Sequence, residues 1–292
     1  MRIPEGPGGA AMQLDLTVVR RVVAAALDED LGTRGDVTTA ALFREPRRSA
    51  GHLVAREDLV LAGCDVAREV FLAREASLEF RAERTDGERI RCGERVATVV
   101  GDTRPILEGE RTALNFLMRM CGIATEASRA VAEVAGTGCR ILDTRKTAPG
   151  LRHLDKYAVA CGGATNHRMG LYDAVMIKDT HLDVGIGIAE AVRRARAAGH
   201  PPEQITVELR DPQELEQVIA AGAGRALLDN MSTDELRRAV RIASGRIVLE
   251  ASGGLRPGEL RAAADTGVTC LSLGWLTHSS PAADLALETE PA

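Results

Sequence analysis

Lysine is scarce in this chain. Of the 37 Lys and Arg residues only three are lysine, namely Lys146, Lys156 and Lys178, and they fall in one short stretch. A chain that otherwise uses Arg is expected to keep Lys where a compact ammonium does something that a guanidinium cannot. The same stretch is rich in Arg and His, whereas the whole chain has a net charge of -5. A cationic site in an acidic protein indicates a small anionic ligand and argues against a nucleic acid.

Other scarcities narrow the class of protein. Aromatic residues make up 2% of the chain, so the core is predicted to be Val, Leu, Ile and Ala. No apolar run approaches the roughly 18 residues of a membrane span, which argues against a membrane protein. The six cysteines form no C-x-x-C pair, which indicates reduced thiols and a cytoplasmic protein. Residues 1–13 are rich in Gly and Pro and predict a disordered lead-in, not a signal peptide.

The first half of the chain, residues 14–128, predicts an α+β sandwich domain. Short alternating strands lie between helices, and turns such as Asp86-Gly87 separate them. The C-terminal tail, residues 277–292, is a candidate to pack back on this domain. The predicted helices are Leu16–Asp30 and Leu107–Ala127, and the predicted strands are His52–Leu61, Leu78–Arg84 and Val96–Val100.

Residues 129–276 have a different texture, in which short apolar runs alternate with amphipathic helices. Near-continuous apolar strands joined by helices predict a parallel sheet that is buried on both faces. The fold class is therefore α/β, either an α/β barrel or an open doubly wound sheet. No G-x-G-x-x-G follows a first strand, so dinucleotide binding is not supported. The runs are Arg140–Leu142, Ala174–Ile177, Ile205–Val207, Ala226–Leu228, Ile247–Leu249 and Val268–Leu271.

A polar residue closes each apolar run, at intervals that fit one βα unit. The carboxyl ends of parallel strands meet at one edge, so these residues are predicted to line a common site. Two of them, Glu208 and Asp229, are the carboxylates expected to hold Mg²⁺ together with substrate phosphates. The alternative for each is a structural ion pair with a basic neighbour. The glycines after the last two strands, in Ser252-Gly253-Gly254 and Leu273-Gly274, predict a phosphate cradle, although turns also need Gly.

Several motifs together resemble the quinolinate phosphoribosyltransferase family, a type II phosphoribosyltransferase family. The most specific are Asp143-Thr144-Arg145-Lys146-Thr147-Ala148-Pro149-Gly150-Leu151-Arg152, Asn166-His167-Arg168 and Ile177-Lys178-Asp179-x-His181. Glu110-Arg111-Thr112, Leu228-Asp229-Asn230 and Leu276-Thr277-His278-Ser279 add support. The resemblance covers about Asp28 to Leu287.

The resemblance implies an incomplete α/β (TIM-like) barrel with an N-terminal α+β sandwich domain, assembled as a homodimer or a larger oligomer. It implies that quinolinate and phosphoribosyl pyrophosphate, with Mg²⁺ and no organic cofactor, give nicotinate mononucleotide, pyrophosphate and CO2. The diacid-binding residues would be Arg111 from the partner subunit, Arg145, His167, Arg168 and Lys178. Residues for the ribose, metal and phosphates would be Lys146, Glu208, Asp229, Ser252, Gly253 and Gly254. Thr144, Leu273, Gly274 and Trp275 are further predicted substrate-binding residues. Lys146, Glu208 and Asp229 would be catalytic, and Glu208 and Asp229 would hold the metal.

The chain departs from the family pattern at a few rim positions. Thr180 stands where Asn is usual, Arg210 where acidic residues are common, and Trp275 where a small residue is usual.

Three alternative functions stay open. One is a paralogue that acts on a related pyridine or heterocyclic acid. Another is a non-catalytic protein that binds a phosphometabolite. The third is a barrel aldolase or isomerase that uses Lys178 as a Schiff-base amine.

Overall fold

The computed structural model describes residues 12–292, in which the chain divides into two compact units. The antiparallel unit comprises residues 12–128, 147–163 and 276–292, and the barrel unit comprises residues 129–146 and 164–275. Most of the predicted lead-in, residues 1–11, lies outside the described residues. Residues 147–163, which the sequence division counts with the barrel, cluster by contact with the antiparallel unit. The division into folding domains stays a prediction.

The predicted helices and strands are present, except that the predicted strand His52–Leu61 is divided between two strands. The helices are α1 (Leu16–Leu31), α2 (Val37–Leu42), α3 (Cys64–Arg74), α4 (Thr103–Glu133), α5 (Arg152–Cys161), α6 (Asp179–Leu182), α7 (Ile188–Ala197), α8 (Leu215–Ala221), α9 (Thr233–Ala243), α10 (Leu260–Ala264) and α11 (Trp275–His278). The strands are β1 (Arg48–Ala55), β2 (Leu59–Val60), β3 (Glu79–Ala82), β4 (Arg89–Ile90), β5 (Arg95–Asp102), β6 (Arg140–Leu142), β7 (Val175–Ile177), β8 (Ile205–Leu209), β9 (Arg225–Asp229), β10 (Val248–Ser252), β11 (Cys270–Ser272) and β12 (Leu285–Pro291).

A four-stranded antiparallel sheet in the order β12-β1-β5-β3 forms the centre of the antiparallel unit. The last strand of the chain, β12, pairs with the first, from Ser49 opposite Pro291 to Ala55 opposite Leu285. After its first residue β1 is buried along its whole length, so both faces of the strand are covered. The edge strand of this N-terminal sheet is therefore supplied by the C-terminal residues of the chain.

The long helix α4 extends beyond the predicted Leu107–Ala127 at both ends. Pro105 lies in its first turn, where the missing N–H breaks no helical hydrogen bond. Leu114, Leu117 and Cys121 are buried, as their three- and four-residue spacing predicts. The predicted start at Leu107, after Pro105, was too late because proline is tolerated in the first turn of a helix.

The barrel unit contains a six-stranded parallel sheet in the order β6-β11-β10-β9-β8-β7. In the part of the chain that the structure describes, β6 and β7 do not pair, so the barrel is incomplete. Thr165 instead forms a parallel bridge with Leu142 of β6. The sequence-based fold class is confirmed, and the open doubly wound alternative is not the architecture found.

Side chains alternate strictly between the two faces of this parallel sheet. The outward positions are apolar, and α7 packs on β7 and β8, α9 on β10, and α10 on β11. The register aligns Glu250 with Cys270 and Leu227 on the opposite, inward face, and Cys270 with Arg140. The interior of the barrel is therefore partly charged, and the apolar core lies between the sheet and its helices.

A buried ion pair ties α5 to α4 inside the antiparallel unit. Arg119 donates from Nε and Nη2 to the two oxygens of Asp155, at 2.8 and 2.7 Å. Asp155 is fully buried and also accepts the Ala148 N–H at 3.1 Å. Because this carboxylate has no access to water, its charge depends on Arg119 for compensation.

We expect Arg119→Met to lower the free energy of unfolding by about 3 kcal/mol, because it leaves the buried Asp155 carboxylate without its cation. Arg68→Met is the control, since Arg68 is exposed on α3 of the same unit, and its cost should stay within roughly 0.5 kcal/mol. Denaturant titration without substrates measures both. Equal stability of the two variants would contradict the assigned role of the pair.

Candidate active site

Polar side chains from neighbouring strands meet at the carboxyl edge of the parallel sheet. Ser252 at the end of β10 is in register with Asp229 of β9 and with Ser272 of β11. Lys178 follows β7 directly, and its Nζ lies 3.5 Å from Oε2 of Glu208 on β8. Lys178 is half exposed, whereas Glu208 is 10% exposed. The edge therefore joins a solvent-facing cation to a largely buried carboxylate.

The turn after β10 depends on Gly253. Asn230 donates its backbone N–H to the Ser252 carbonyl at 2.8 Å, and its Nδ2 donates to Asp229 Oδ2 at 2.7 Å. Gly253 has a φ of +90°, and a Cβ there would lie 2.2 Å from Asn230 Oδ1. Gly254 also has a positive φ, but a Cβ there would meet only that oxygen, at 3.9 Å. Only glycine fits at 253. A turn without side chains leaves its backbone N–H groups accessible, as anion binding requires.

The turn after β11 contributes a second set of predicted residues. The Leu273 N–H donates to the Leu142 carbonyl at 2.9 Å, and the Leu273 side chain is buried. Trp275 donates its indole N–H to the Leu255 carbonyl at 3.0 Å. The indole thus connects the turn after β11 to the turn after β10.

Two arginines form a cationic group near the end of β6. Arg145 follows β6 in the chain, and Arg168 follows Thr165, which forms a bridge with Leu142 of β6. Arg168 donates from Nη1 to the Ala174 carbonyl at 3.0 Å. Burial lowers the pKa of Arg168, the neighbouring Arg145 lowers it further, and Asp173 opposes both effects. Both guanidinium groups stay charged. Two such cations held close together favour a ligand that carries more than one negative charge.

Asp143 holds the backbone of this cationic group. It is fully buried, its Oδ1 accepts the His167 N–H at 2.7 Å, and its Oδ2 accepts Nδ2 of Asn166 at 2.7 Å. Thr144 Oγ1 accepts the N–H of Lys146 at 3.0 Å, and the Lys146 side chain is exposed. A buried carboxylate therefore fixes the segment that presents His167 and Arg168.

Sequence reasoning missed Glu250, which is fully buried in the middle of β10. Its Oε2 lies 3.2 Å from Arg225 Nη2, and its Oε1 lies 3.3 Å from His167 Nε2. Burial by itself raises the pKa of Glu250, but His167, Arg225 and Ser272 together outweigh it and hold the pKa at about 2. The sequence feature that could have identified Glu250 is a charged residue inside an apolar strand. Such a residue is seldom fully buried unless it has a partner.

Arg111 lies in the antiparallel unit, exposed on α4. The other predicted site residues, from Thr144 to Trp275, belong to the barrel unit. Which of these residues touch a substrate stays a prediction, as does the contribution of Arg111 from a partner subunit.

The family departures at the rim have local partners. Arg210 forms an ion pair with Asp179, and the Thr180 N–H donates to Asp179 Oδ1 at 2.6 Å. Trp275 is held by the Leu255 carbonyl, as described above. The unusual side chains therefore engage residues beside them.

The acidic residues at the edge fit a weakly held divalent cation. Residues 12–292 contain no cluster of three or more His, Cys, Asp or Glu that could hold a metal by itself. Mg²⁺ commonly takes one or two carboxylates, and water and substrate phosphates complete its shell. Glu208 and Asp229, on adjacent strands, match that donor set.

None of the helices within residues 12–292 has both the length and the apolar character of a membrane span.

The low pKa of Glu250 predicts a pH-dependent contribution to stability. A carboxyl whose pKa falls from 4.5 to about 2 on folding stabilises the fold fully above pH 4.5. That contribution is lost as the pH falls towards about 2. The difference in unfolding free energy between wild type and Glu250→Gln should therefore be constant near neutrality and shrink below pH 4.5. Denaturant titrations across this range measure it, with the exposed Glu203→Gln as control. A difference that grows on acidification would contradict the assignment.

Comparison with known proteins agrees with this geometry. The family model described as quinolinate phosphoribosyl transferase, N-terminal domain, matches residues 36–121, and that of the C-terminal domain matches residues 123–288. A probable nicotinate-nucleotide pyrophosphorylase (carboxylating) of Bacillus subtilis is 39% identical over 260 residues, 89% of each chain. Its counterpart in Methanothermobacter thermautotrophicus is 39% identical over 284 residues, 94% of this chain and 98% of that one.

Solved structures give the same result. The nicotinate-nucleotide pyrophosphorylase of Francisella tularensis superposes with a TM-score of 0.91 at 36% identity, covering 96% of this chain and 99% of that one. The enzyme of Ehrlichia chaffeensis superposes with a TM-score of 0.89 at 34% identity, covering 96% and 100%. On the matches to both domain models and to full-length relatives, the chain belongs to the quinolinate phosphoribosyltransferase family.

Proposed function

We propose that this protein transfers the phosphoribosyl group of phosphoribosyl pyrophosphate to quinolinate and releases CO2, a step of NAD biosynthesis. The products are nicotinate mononucleotide and pyrophosphate. The observation that carries the proposal is the meeting of Lys178 with Glu208, and of Asp229 with the Ser252–Gly254 turn, at one edge of a parallel sheet. Family membership supports the same reaction.

Recognition of quinolinate is assigned to the cationic side of the edge. The substrate carries two adjacent carboxylates on a planar ring, and planar guanidinium groups bind carboxylates through two parallel hydrogen bonds. Arg145 and Arg168 are near enough for the charge of one to lower the pKa of the other. Lys178 and His167 would complete the recognition of the diacid. The proximity of two cations supports this assignment, because a dianion relieves their repulsion.

Recognition of phosphoribosyl pyrophosphate is assigned to the acidic side and the glycine turns. Ser252, Gly253 and Gly254 offer backbone N–H groups and a hydroxyl at a strand end, where phosphates bind in barrels. Leu273, Gly274 and Trp275 flank this turn, and Thr144 and Lys146 would face the leaving group. Glu208 and Asp229 would hold Mg²⁺, which when bound would offset charge on the pyrophosphate.

The chemistry then needs no prosthetic group. The pyridine nitrogen of quinolinate forms a bond to C1 of the ribose, and the bond from C1 to the pyrophosphate oxygen breaks. Lys146 stabilises the negative charge that grows on the leaving group, and Glu208 or Asp229 stabilises the cationic ribosyl centre. The ring nitrogen becomes cationic. Loss of the neighbouring carboxylate as CO2 leaves an electron pair on the adjacent carbon, which takes a proton from water.

The proposed reaction is tested with phosphoribosyl pyrophosphate, Mg²⁺ and quinolinate labelled in the 2-carboxylate. We expect labelled CO2, nicotinate mononucleotide and pyrophosphate in equal amounts, and loss of turnover on metal chelation. Reaction of nicotinate or another pyridine acid, with none of quinolinate, would assign a paralogous substrate. Stabilisation by the substrates without turnover would indicate a binding protein.

Arg145→Lys should raise the KM for quinolinate at least about tenfold and change the KM for phosphoribosyl pyrophosphate little. Lysine keeps the charge but loses the two parallel hydrogen bonds to a carboxylate. Steady-state kinetics with each substrate varied in turn measures both constants. The exposed Arg237→Lys is the control. Unchanged KM values would show that Arg145 does not bind quinolinate through paired hydrogen bonds.

We propose a cytoplasmic homodimer in which Arg111 of one subunit completes the site of the other. Arg111→Ala and Lys178→Ala should each be inactive alone. Mixed subunits should regain up to about a quarter of wild-type activity. About half of randomly paired dimers are mixed, and one of the two sites in a mixed dimer keeps both residues. Activity after co-expression measures the rescue. Absence of rescue, with mixed dimers present, would indicate self-contained subunits.

Gly253→Ala should weaken phosphoribosyl pyrophosphate binding far more than Gly254→Ala, because a Cβ at 253 would lie 2.2 Å from Asn230 Oδ1. The chain has one tryptophan, Trp275, and its indole is bonded to the adjacent Leu255 carbonyl. Its fluorescence should therefore respond to the ligand and report the affinity of each variant. Equal affinities for the two variants would refute the predicted cradle.

A further inference from the structure

Glu250 occupies a position that the proposed reaction does not use. It lies on the inward face of β10, two residues before Ser252, and is fully buried. A buried carboxylate is costly unless charged or hydrogen-bonding partners compensate it. Its two oxygens face different partners, Arg225 at 3.2 Å and His167 at 3.3 Å. Arg225 alone could neutralise the charge, so the contact with His167 calls for a separate explanation.

His167 is held from three directions. Asp143 Oδ1 accepts its backbone N–H at 2.7 Å. Its ring Nδ1 accepts the backbone N–H of Arg168 at 2.7 Å. An Nδ1 that accepts a hydrogen bond carries no proton at that atom, so the ring N–H is assigned to Nε2, which lies 3.3 Å from Glu250 Oε1. A carboxylate oxygen 3.3 Å from Nε2 favours this orientation and this tautomer of the ring.

The ring in turn fixes the main chain of Arg168. Because the Arg168 N–H donates to His167 Nδ1, rotation of the ring would break the bond that holds this amide. The Arg168 guanidinium lies against the Ala174 carbonyl, in the field of Arg145. A connected path thus runs from Glu250 through the His167 ring to the backbone of a predicted diacid-binding arginine.

We propose that Glu250 is a positioning residue for recognition of the pyridine diacid, acting through the His167 ring on Arg168. This inference rests on the proposed function. It assigns a role to a residue inside the barrel that touches neither substrate. Its effect should fall on the acid substrate and spare the phosphate substrate, even though Glu250 shares β10 with the phosphate turn.

Kinetics with Glu250→Gln test the split. We expect the KM for quinolinate to rise about tenfold or more, while the KM for phosphoribosyl pyrophosphate stays within about twofold of wild type. A second measurement uses His167→Ala. If Glu250 acts through the ring, the double variant should have the same quinolinate KM as His167→Ala alone. An equal rise in both KM values, or additive effects in the double variant, would overturn the proposal.

Cys270→Ala is the matched control for disturbance of the barrel interior. Cys270 is buried, is in register with Glu250 and lies beside Arg225. It should lower the melting temperature without changing either KM. If Glu250→Gln does not fold, Glu250→Asp keeps the charge and draws it back from His167. Its quinolinate KM should also rise, and a wild-type value would overturn the proposal.

A spectroscopic readout separates this inference from the proposed reaction. In protein labelled with ¹⁵N at histidine, the His167 resonances are identified by their loss in His167→Ala. We expect the tautomer protonated on Nε2 in wild type and altered ring shifts in Glu250→Gln. Identical His167 shifts in the two proteins would overturn the proposal. Wild-type protein that fails to use quinolinate but shows the shift change would instead refute the reaction and leave the Glu250–His167 coupling standing.

Discussion

The parallel register of six strands is the constraint on which the site depends. Side chains alternate between two faces, so each strand presents one set to the helices and the other set to the interior. The outward set is apolar and forms the core with the helices. The inward set is thereby free to be polar, and its last members gather at the carboxyl edge. Pairings such as Ser252 with Asp229 follow directly from this register.

Buried carboxylates hold the cationic segment that follows the sheet edge. Asp143 bonds the backbone of His167, and Glu250 faces its ring. Apolar packing could not hold a segment that must present several positive charges to solvent. The carboxylate of Asp173 opposes the effect of Arg145 on Arg168. A segment held in this way would need little rearrangement to bind the dianion that is proposed for it.

The departures from the family pattern leave this framework unchanged. Arg210 forms an ion pair with Asp179, and Trp275 reaches across to the Leu255 carbonyl. Lys178 follows β7, and Glu208 and Asp229 lie near the ends of β8 and β9. The contacts of these unusual residues therefore adjust the surroundings of the site without replacing its charged groups.

The sequence by itself determined the order of elements, the fold class and the set of charged residues at the strand ends. It could do so because apolar runs alternating with helices predict a parallel sheet, and because the specific motifs indicate a family with a barrel. Boundaries such as the ends of α4 were less accurate, since helix termini depend on packing as well as on propensity. Only the tertiary structure revealed the contacts of Glu250 with Arg225 and His167. Their partners are distant in the chain, and nothing in a linear pattern states which face of a strand will meet a loop that lies 83 positions earlier.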